Sequence, residues 1–235
     1  VVPDLGQGEV PVEERDMVHA DAEDALSGTL GPSFEQALDA CERACATAGV
    51  RCERELLAGD PARVLAREAM GCDLLVVGAH GQTDDAATLI GNTTRRVLRH
   101  ATKPVLVTRG DYAPITTVVV GYDSTADSGH AVEWAADFAA AGEWEVHLIT
   151  GALVRSDLAE AARCAARIVT ARGVEPQLRV AAGDAPGIIF DQAKTVGVDL
   201  IAIGASPKGA LTGFFIGESW PDIVEQATVP VLCWR

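Results

Sequence analysis

The sequence predicts an α/β protein built from two doubly wound parallel sheets, and two observations carry this prediction. Short apolar runs rich in β-branched residues alternate with segments of helical periodicity, which is the pattern of parallel strands joined by helices. One segment also occurs twice: residues 73–106 correspond to residues 199–232 at a fixed offset of 126, without a gap and with the glycines kept. Repeats of this length indicate duplicated domains rather than a solenoid.

The second copy has a complete set of alternating elements. Its first strand is a continuous apolar run, which is typical of a strand buried on both faces. Gly173 is placed to end one helix, and Asp184 is placed to cap another that begins at Pro186. The predicted strands are 116–121, 146–150, 177–180, 200–203 and 229–233, and the predicted helices are 128–141, 157–172, the one from Pro186, and 218–226.

The first copy repeats these parts but lacks the beginning. Residues 1–5 match the second strand of the other copy, and nothing matches its first strand and helix. Because the first strand lies in the middle of a doubly wound sheet, we expect roughly 30 or more further residues before Val1, or their supply by another chain. The predicted strands are 54–57, 74–77 and 105–108, and the predicted helices are 33–48 (with a capping box at Ser33 and Gln36), one capped by Asp60 and Pro61, and 92–101.

These elements divide the chain into an N-terminally incomplete first domain (1–109), a linker (110–115) and a second domain (116–235). The formal net charge of −15 argues against binding to nucleic acid or to anionic membranes. No apolar run is long enough for a membrane span, and no signal peptide is visible. The six cysteines do not form Cys-x-x-Cys pairs and are interpreted as small buried side chains in a reducing cytosol, so we expect a cytoplasmic protein.

One loop of the first copy has the features of an anion site. Gly78-Ala79-His80-Gly81 is followed by nine residues and then by Gly91-Asn92-Thr93-Thr94, between a strand and a helix. Glycines allow close backbone approach, and a helix N-terminus at the carboxyl end of a parallel sheet attracts phosphate. The alternative is a tight strand-to-helix turn in which Asn92 is an ordinary N-cap.

The pattern Gly-x-x-Gly-x9-Gly, after an apolar strand and before a helix ending at Pro-Val-Leu-Val, resembles the universal stress protein family. The resemblance covers both copies and implies five-stranded parallel sheets with strand order 3-2-1-4-5, pairing through strand five, and ATP binding in some members. Asn92 stands where ATP-binding members have Ser or Thr. By resemblance, the phosphate and ribose side would be lined by Val77, Gly78, His80, Gly81, Gly91, Asn92, Thr93 and Thr94, and the adenine side by a region near Val2.

The second copy departs from this pattern in the opposite way. Asp123 matches the family's nucleotide-contacting aspartate, although it is equally interpreted as a turn-forming residue before a helix. The loop from Gly204 to Gly217 contains Pro207, which lacks a backbone donor, and Glu218 puts a carboxylate where a phosphate would lie. We therefore expect the second site to be degenerate.

The sequence does not predict an enzyme. It contains neither a P-loop motif nor a nucleophile elbow, and Asp84 and Asp85 offer at most a weak site for Mg²⁺ bound with ATP. The favoured hypothesis is a stress-response regulatory protein that binds ATP in its first repeat and acts on a protein partner not identified by the sequence. The alternative is an interaction protein of the same fold that binds no nucleotide. In both cases a homodimer through the fifth strands is expected.

Overall fold

The computed structural model describes residues 31–81, 89–110, 113–151, 156–181, 183–205 and 216–234. The chain forms two compact units, Val1–Val64 and Leu65–Arg235. The helices are α1 (Gly31–Ala48), α2 (Pro61–Glu68), α3 (Asn92–His100), α4 (Ala126–Gly142), α5 (Ser156–Thr170), α6 (Ala185–Val196) and α7 (Ile216–Gln226). The strands are β1 (Leu75–Gly78), β2 (Val105–Thr108), β3 (Thr117–Gly121), β4 (Glu145–Gly151), β5 (Gln177–Ala181), β6 (Leu200–Gly204) and β7 (Val231–Trp234).

All described strands belong to one seven-stranded sheet with the order β1-β2-β7-β6-β3-β4-β5. The second copy supplies β3 to β7, and their order β5-β4-β3-β6-β7 is the expected 3-2-1-4-5. The first copy supplies β1 and β2, which correspond to its strands four and five. The α/β class and the parallel winding are confirmed, but the strands expected in two separate sheets are joined in one.

The junction between the copies is the antiparallel pairing of β2 with β7. Leu106 lies opposite Leu232, and Val105 and Val107 lie opposite Cys233 and Val231. Since Leu106 and Leu232 are themselves equivalent by the repeat offset, this register places a local two-fold axis at their pair.

The prediction that two chains pair through their fifth strands is therefore wrong. The two fifth strands of one chain pair with each other, and each has its second edge occupied by a neighbour, β1 for β2 and β6 for β7. Neither strand keeps a free edge for a second chain.

The last two strands of each copy follow the same backbone path. β1 and β2 pair in the same register as β6 and β7 after the repeat offset is applied. The N–H of Ala79 donates to the carbonyl of Thr108 at 2.9 Å, and the equivalent Ala205 donates to Trp234 at 2.7 Å. The sequence repeat is thus a structural repeat.

The expected strand at 54–57 is wrong, because residues 51–58 have no regular secondary structure. A strand needs a hydrogen-bonded neighbour, and the expected one, at residues 1–5, lies outside the described residues. The side chain of Arg54 instead pairs with Asp39 at 2.6 Å and with Glu42 at 3.5 Å on α1.

Of the N-terminal caps predicted at Ser33, Asp60 and Asp184, the last two are confirmed. The Asp60 carboxylate accepts from the N–H of Arg63 at 3.1 Å, and that of Asp184 accepts from Gly187 at 2.9 Å. The cap at Ser33 is wrong, because α1 begins at Gly31 and Ser33 lies inside the helix.

Equivalent strands differ sharply in exposure. Every residue of β6 is buried, as expected for a central strand, whereas β1 alternates between half-buried and exposed residues. Val76 is 54% exposed, while the equivalent Ala202 is fully buried. β1 thus forms one edge of the described sheet. Among the described helices, none is long and apolar enough to cross a membrane.

Asp199 fixes the start of β3 to the start of β6. One carboxylate oxygen, Oδ2, accepts from the N–H and hydroxyl of Thr116 at 2.9 and 2.8 Å and from the N–H of Thr117 at 3.0 Å. Burial raises the pKa of Asp199, but these hydrogen bonds outweigh it and leave the pKa below its ordinary value. The equivalent Asp73 is exposed and has no hydrogen bond to another described residue.

We expect Asp199→Ala to lower the free energy of unfolding by about 1–3 kcal/mol, since two backbone donors lose their acceptor. Because the folded pKa is depressed, this contribution is present above the unfolded value of about 3.9 and is lost as pH falls through the folded pKa. The difference between wild type and variant in urea unfolding should therefore shrink below about pH 4. Asp73→Ala is the matched control and should stay within about 0.5 kcal/mol of wild type; equal losses for the two variants would contradict this assignment.

The pair at the local axis gives a second prediction. Leu232 is fully buried, so Leu232→Ala should lower the free energy of unfolding by about 2–5 kcal/mol. Leu178→Ala, on the edge strand β5 where the side chain is 38% exposed, should cost less than about 1 kcal/mol. Chemical denaturation measures both, and similar costs would refute the central role of the β2–β7 ladder.

Candidate functional site

The first copy's glycine loop leaves the sheet at the carboxyl end of β1. The chain turns at Ala79, which is buried, and returns at Gly91, whose N–H donates to the carbonyl of Ala79 at 2.7 Å. The hydroxyl of Thr94 donates to the carbonyl of Gly78 at 2.7 Å. These two bonds place the first turn of α3 against the end of the strand.

The N-cap residue of α3 provides no side-chain cap. This residue is Gly91, which has an extended backbone and no side chain to accept from the first-turn N–H groups. Asn92 and Thr93, the first helical residues, are exposed. The alternative in which Asn92 is the N-cap is wrong, because Asn92 lies inside the helix.

The residues predicted for this site fall into three groups. The exposed group, Gly78, His80, Gly81, Asn92 and Thr93, is where a ligand could make contact. Val77 is half-buried. Gly91 and Thr94 are buried, and the Thr94 hydroxyl already donates to the backbone, so its role here is to hold the turn.

Arg109, which follows β2, was missed as a contributor to this site. Its guanidinium donates from Nη1 to the carbonyl of Leu89 at 3.0 Å and from Nη2 to the carbonyl of Val224 on α7. It therefore fastens the returning end of the loop to the second copy. Burial lowers the pKa of Arg109, but a guanidinium stays charged at any physiological pH. The repeat could have indicated a structural role for this residue, because Arg109 and Arg235 occupy equivalent positions after the last strands of the two copies.

The helix that starts at this site is locally basic. α3 carries Arg95, Arg96 and Arg99 and has no acidic residue, in a chain whose net charge is −15. Arg95 pairs with Glu225 on α7 at 2.8 Å. Arg99 lies in the last turn, so the feature that favours an anion at the helix start is the positive end of the helix, with no acidic residue on the helix itself to oppose it.

In the second copy, Asp123 forms its hydrogen bonds with nearby residues of its own turn. It is 1% exposed, and its Oδ1 accepts from the hydroxyl of Thr125 at 2.6 Å and from the N–H of Thr125 at 3.1 Å. Its own N–H donates to the hydroxyl of Ser128 at 3.3 Å. Thr125, not Asp123, is the N-cap of α4. These contacts agree with the interpretation of Asp123 as a turn-forming residue before a helix.

The rest of the second site differs from the first. A side chain at Gly204 would come within 2.4 Å of the backbone nitrogen of Ser128, so α4 begins directly against the end of β6. α7 begins at Ile216, so Gly217 lies in its first turn, whereas the equivalent Gly91 precedes α3. Pro207 and the side chain of Glu218 lie outside the described residues.

Three further candidates also lie outside the described residues, namely Val2, Asp84 and Asp85. Within the described ranges, no group of three or more His, Cys, Asp or Glu side chains could hold a metal ion. The weak Mg²⁺ site therefore stays a prediction.

Comparisons with known proteins agree with these features. The family model described as the universal stress protein family matches residues 9–109 and 151–235. A universal stress protein of Synechocystis is 24% identical over 166 residues, which are 69% of this chain and only 58% of that protein. One of Mycolicibacterium smegmatis is 26% identical over 214 residues, covering 80% of this chain and 70% of that protein.

A solved structure shows the same fold. The crystal structure of a universal stress protein from Archaeoglobus fulgidus superposes with a TM-score of 0.72 at 17% identity, over 99% of this chain and 82% of that one. The match to the family model extends over both copies and most of the sequence. The chain therefore belongs to the universal stress protein family, with two copies of the family's domain in tandem.

Proposed function

We propose that this protein is a stress-response regulator that binds an adenine nucleotide, ATP, in its first repeat. The observation that carries the proposal is the N-terminus of α3, whose N-cap Gly91 has no side chain to accept from the first-turn N–H groups. It lies at the carboxyl end of β1 beside exposed Gly78, Asn92 and Thr93, and it begins a helix with three arginines and no acidic residue. Backbone donors and positive charge at that place suit a phosphate group.

The two copies would divide the roles. In the first, Asn92 is a neutral donor at the helix start, where the second has Glu218. A carboxylate there repels a phosphate by about 1 kcal/mol in water at 4 Å, and by more where water is excluded. We therefore infer one ATP per chain, held without efficient hydrolysis, in a cytoplasmic protein. Mg²⁺ would enter with the nucleotide.

The alternative, an interaction protein without a ligand, relied on pairing between chains through the fifth strands. That pairing occurs inside the chain. A protein partner would therefore have to meet another surface, and the nucleotide hypothesis is favoured.

Equilibrium dialysis of the full chain with ATP tests the proposal. We expect one site per chain with a Kd below about 100 μM. Asn92→Asp should raise the Kd at least about tenfold, because the new carboxylate repels the phosphates. The same carboxylate at a helix N-terminus should leave the melting temperature unchanged or slightly higher, so lost binding would not reflect unfolding.

Thr102→Asp is the matched control, since it adds the same charge at an exposed position beyond the other end of α3. It should bind ATP as wild type does. If wild type shows no saturable binding, or if both variants lose affinity equally, the first-repeat site is refuted.

A further inference from the structure

Three cysteines lie close together in the sequence of the unit Val1–Val64, away from the glycine loop. Cys41 and Cys45 lie one helical turn apart near the end of α1, and Cys52 follows the helix. Cys41 is exposed, and Cys45 and Cys52 are half-buried. The expectation that the cysteines are buried holds only for Cys233; Cys72 and Cys164 are also exposed.

The end of α1 reverses the chain in a defined way. Gly49 has a positive φ of 68°, its N–H donates to the carbonyl of Ala46 at 3.2 Å, and the N–H of Val50 donates to Cys45 at 2.9 Å. This pair of bonds is a Schellman motif, which ends a helix at a left-handed residue. The next residues therefore run back along the helix.

The returning segment is held against one face of α1. Arg54 reaches Asp39 at 2.6 Å and Glu42 at 3.5 Å. An extended chain rises about 3.3 Å per residue, and a helix rises about 1.5 Å per residue. The two residues from Arg54 back to Cys52 therefore span about the same length as four residues of α1, counted from Asp39 and Glu42 toward the end of the helix. Cys52 is thereby brought opposite Cys45.

The interactions of the Cys52 thiol agree with this placement. Burial raises the pKa of Cys52, and a hydrogen bond with the Cys45 thiol raises it further. The negative charges of the ionised Cys45, Glu42 and Cys41 side chains act in the same direction. The chain reversal, the ion pairs of Arg54 and the interaction between the two thiols together place Cys52 beside Cys45, with Cys41 nearby. A raised pKa leaves little of the Cys52 thiol as thiolate at neutral pH, so this thiol is suited to slow exchange and not to rapid peroxide reduction.

We propose that Cys45 and Cys52 are a redox-active pair that forms an intramolecular disulfide by exchange with a low-molecular-weight disulfide such as oxidised glutathione. One thiolate attacks a sulfur of glutathione disulfide, forms a mixed disulfide and releases one glutathione. The second thiol loses its proton, attacks the protein sulfur of the mixed disulfide and releases the second glutathione. The two protein thiols are oxidised, and one glutathione disulfide is reduced to two glutathione molecules.

The disulfide would close a short ring across the reversal after α1. The disulfide would join the returning segment to the helix by a covalent bond. In the reduced protein, the ion pair of Arg54 with Asp39 holds that segment against the helix. The redox state of the surroundings would thus set how firmly the end of α1 is held.

Tryptic mapping of the full chain in glutathione redox buffers tests the proposal. Arg43 and Arg51 separate the three cysteines into different peptides, so each possible pair has its own mass. We expect the 44–51 and 52–54 peptides to be linked at least about tenfold more often than any other cysteine pair. Reduced glutathione should release the link.

Matched variants assign the pair. Cys45→Ser and Cys52→Ser should each abolish the link, whereas Cys41→Ser and the distant Cys164→Ser should leave it. In guanidinium chloride the preference should vanish, because the chain reversal that creates it is gone. Equal linkage of Cys41, or stable glutathione adducts without an internal bond, would overturn the proposal.

Discussion

The pairing of β2 with β7 is the constraint on which the seven-stranded sheet depends. It is the only antiparallel contact among the described strands, and it joins the two copies into one sheet. Its register is centred on Leu106 and Leu232, which are equivalent by the repeat, so each copy presents the same surface to the other. A self-complementary contact of this kind is what usually joins identical subunits. Here one chain provides both halves.

Because of this pairing, residues of both copies make contacts around the candidate site. Arg109 ends the first copy's last strand and binds the carbonyls of Leu89 and Val224, one in each copy. Arg95 and Glu225 make a second contact between α3 and α7. The helix whose N-terminus forms the proposed phosphate site is thus fixed from the side of the second copy. The proposed nucleotide site in the first repeat is therefore connected to the second copy through these contacts.

Much of the fold could be predicted from the sequence, because its signals are local. Asp60 and Asp184 cap helices as expected, and the apolar run from Thr117 is a buried strand. The predictions that were wrong concern features that depend on contacts between residues distant in sequence. Residues 54–57 correspond to a strand of the second copy but have no described strand beside them. The pairing of both fifth strands within the chain cannot be inferred from either repeat alone. At the site, the strand-loop-helix geometry and the turn-forming role of Asp123 were predictable, but the structural roles of Thr94 and Arg109 were not.

Covalent fusion of the two copies has a consequence for their evolution. Two separate identical chains carry identical sites, so any change to one site is imposed on both. In a fused pair the positions are inherited independently, and Asn92 can be kept while its counterpart becomes Glu218. The ladder around Leu106 and Leu232 must remain matched, but the loops above it are released from that requirement. One half of the molecule is then free to specialise as a scaffold for the other.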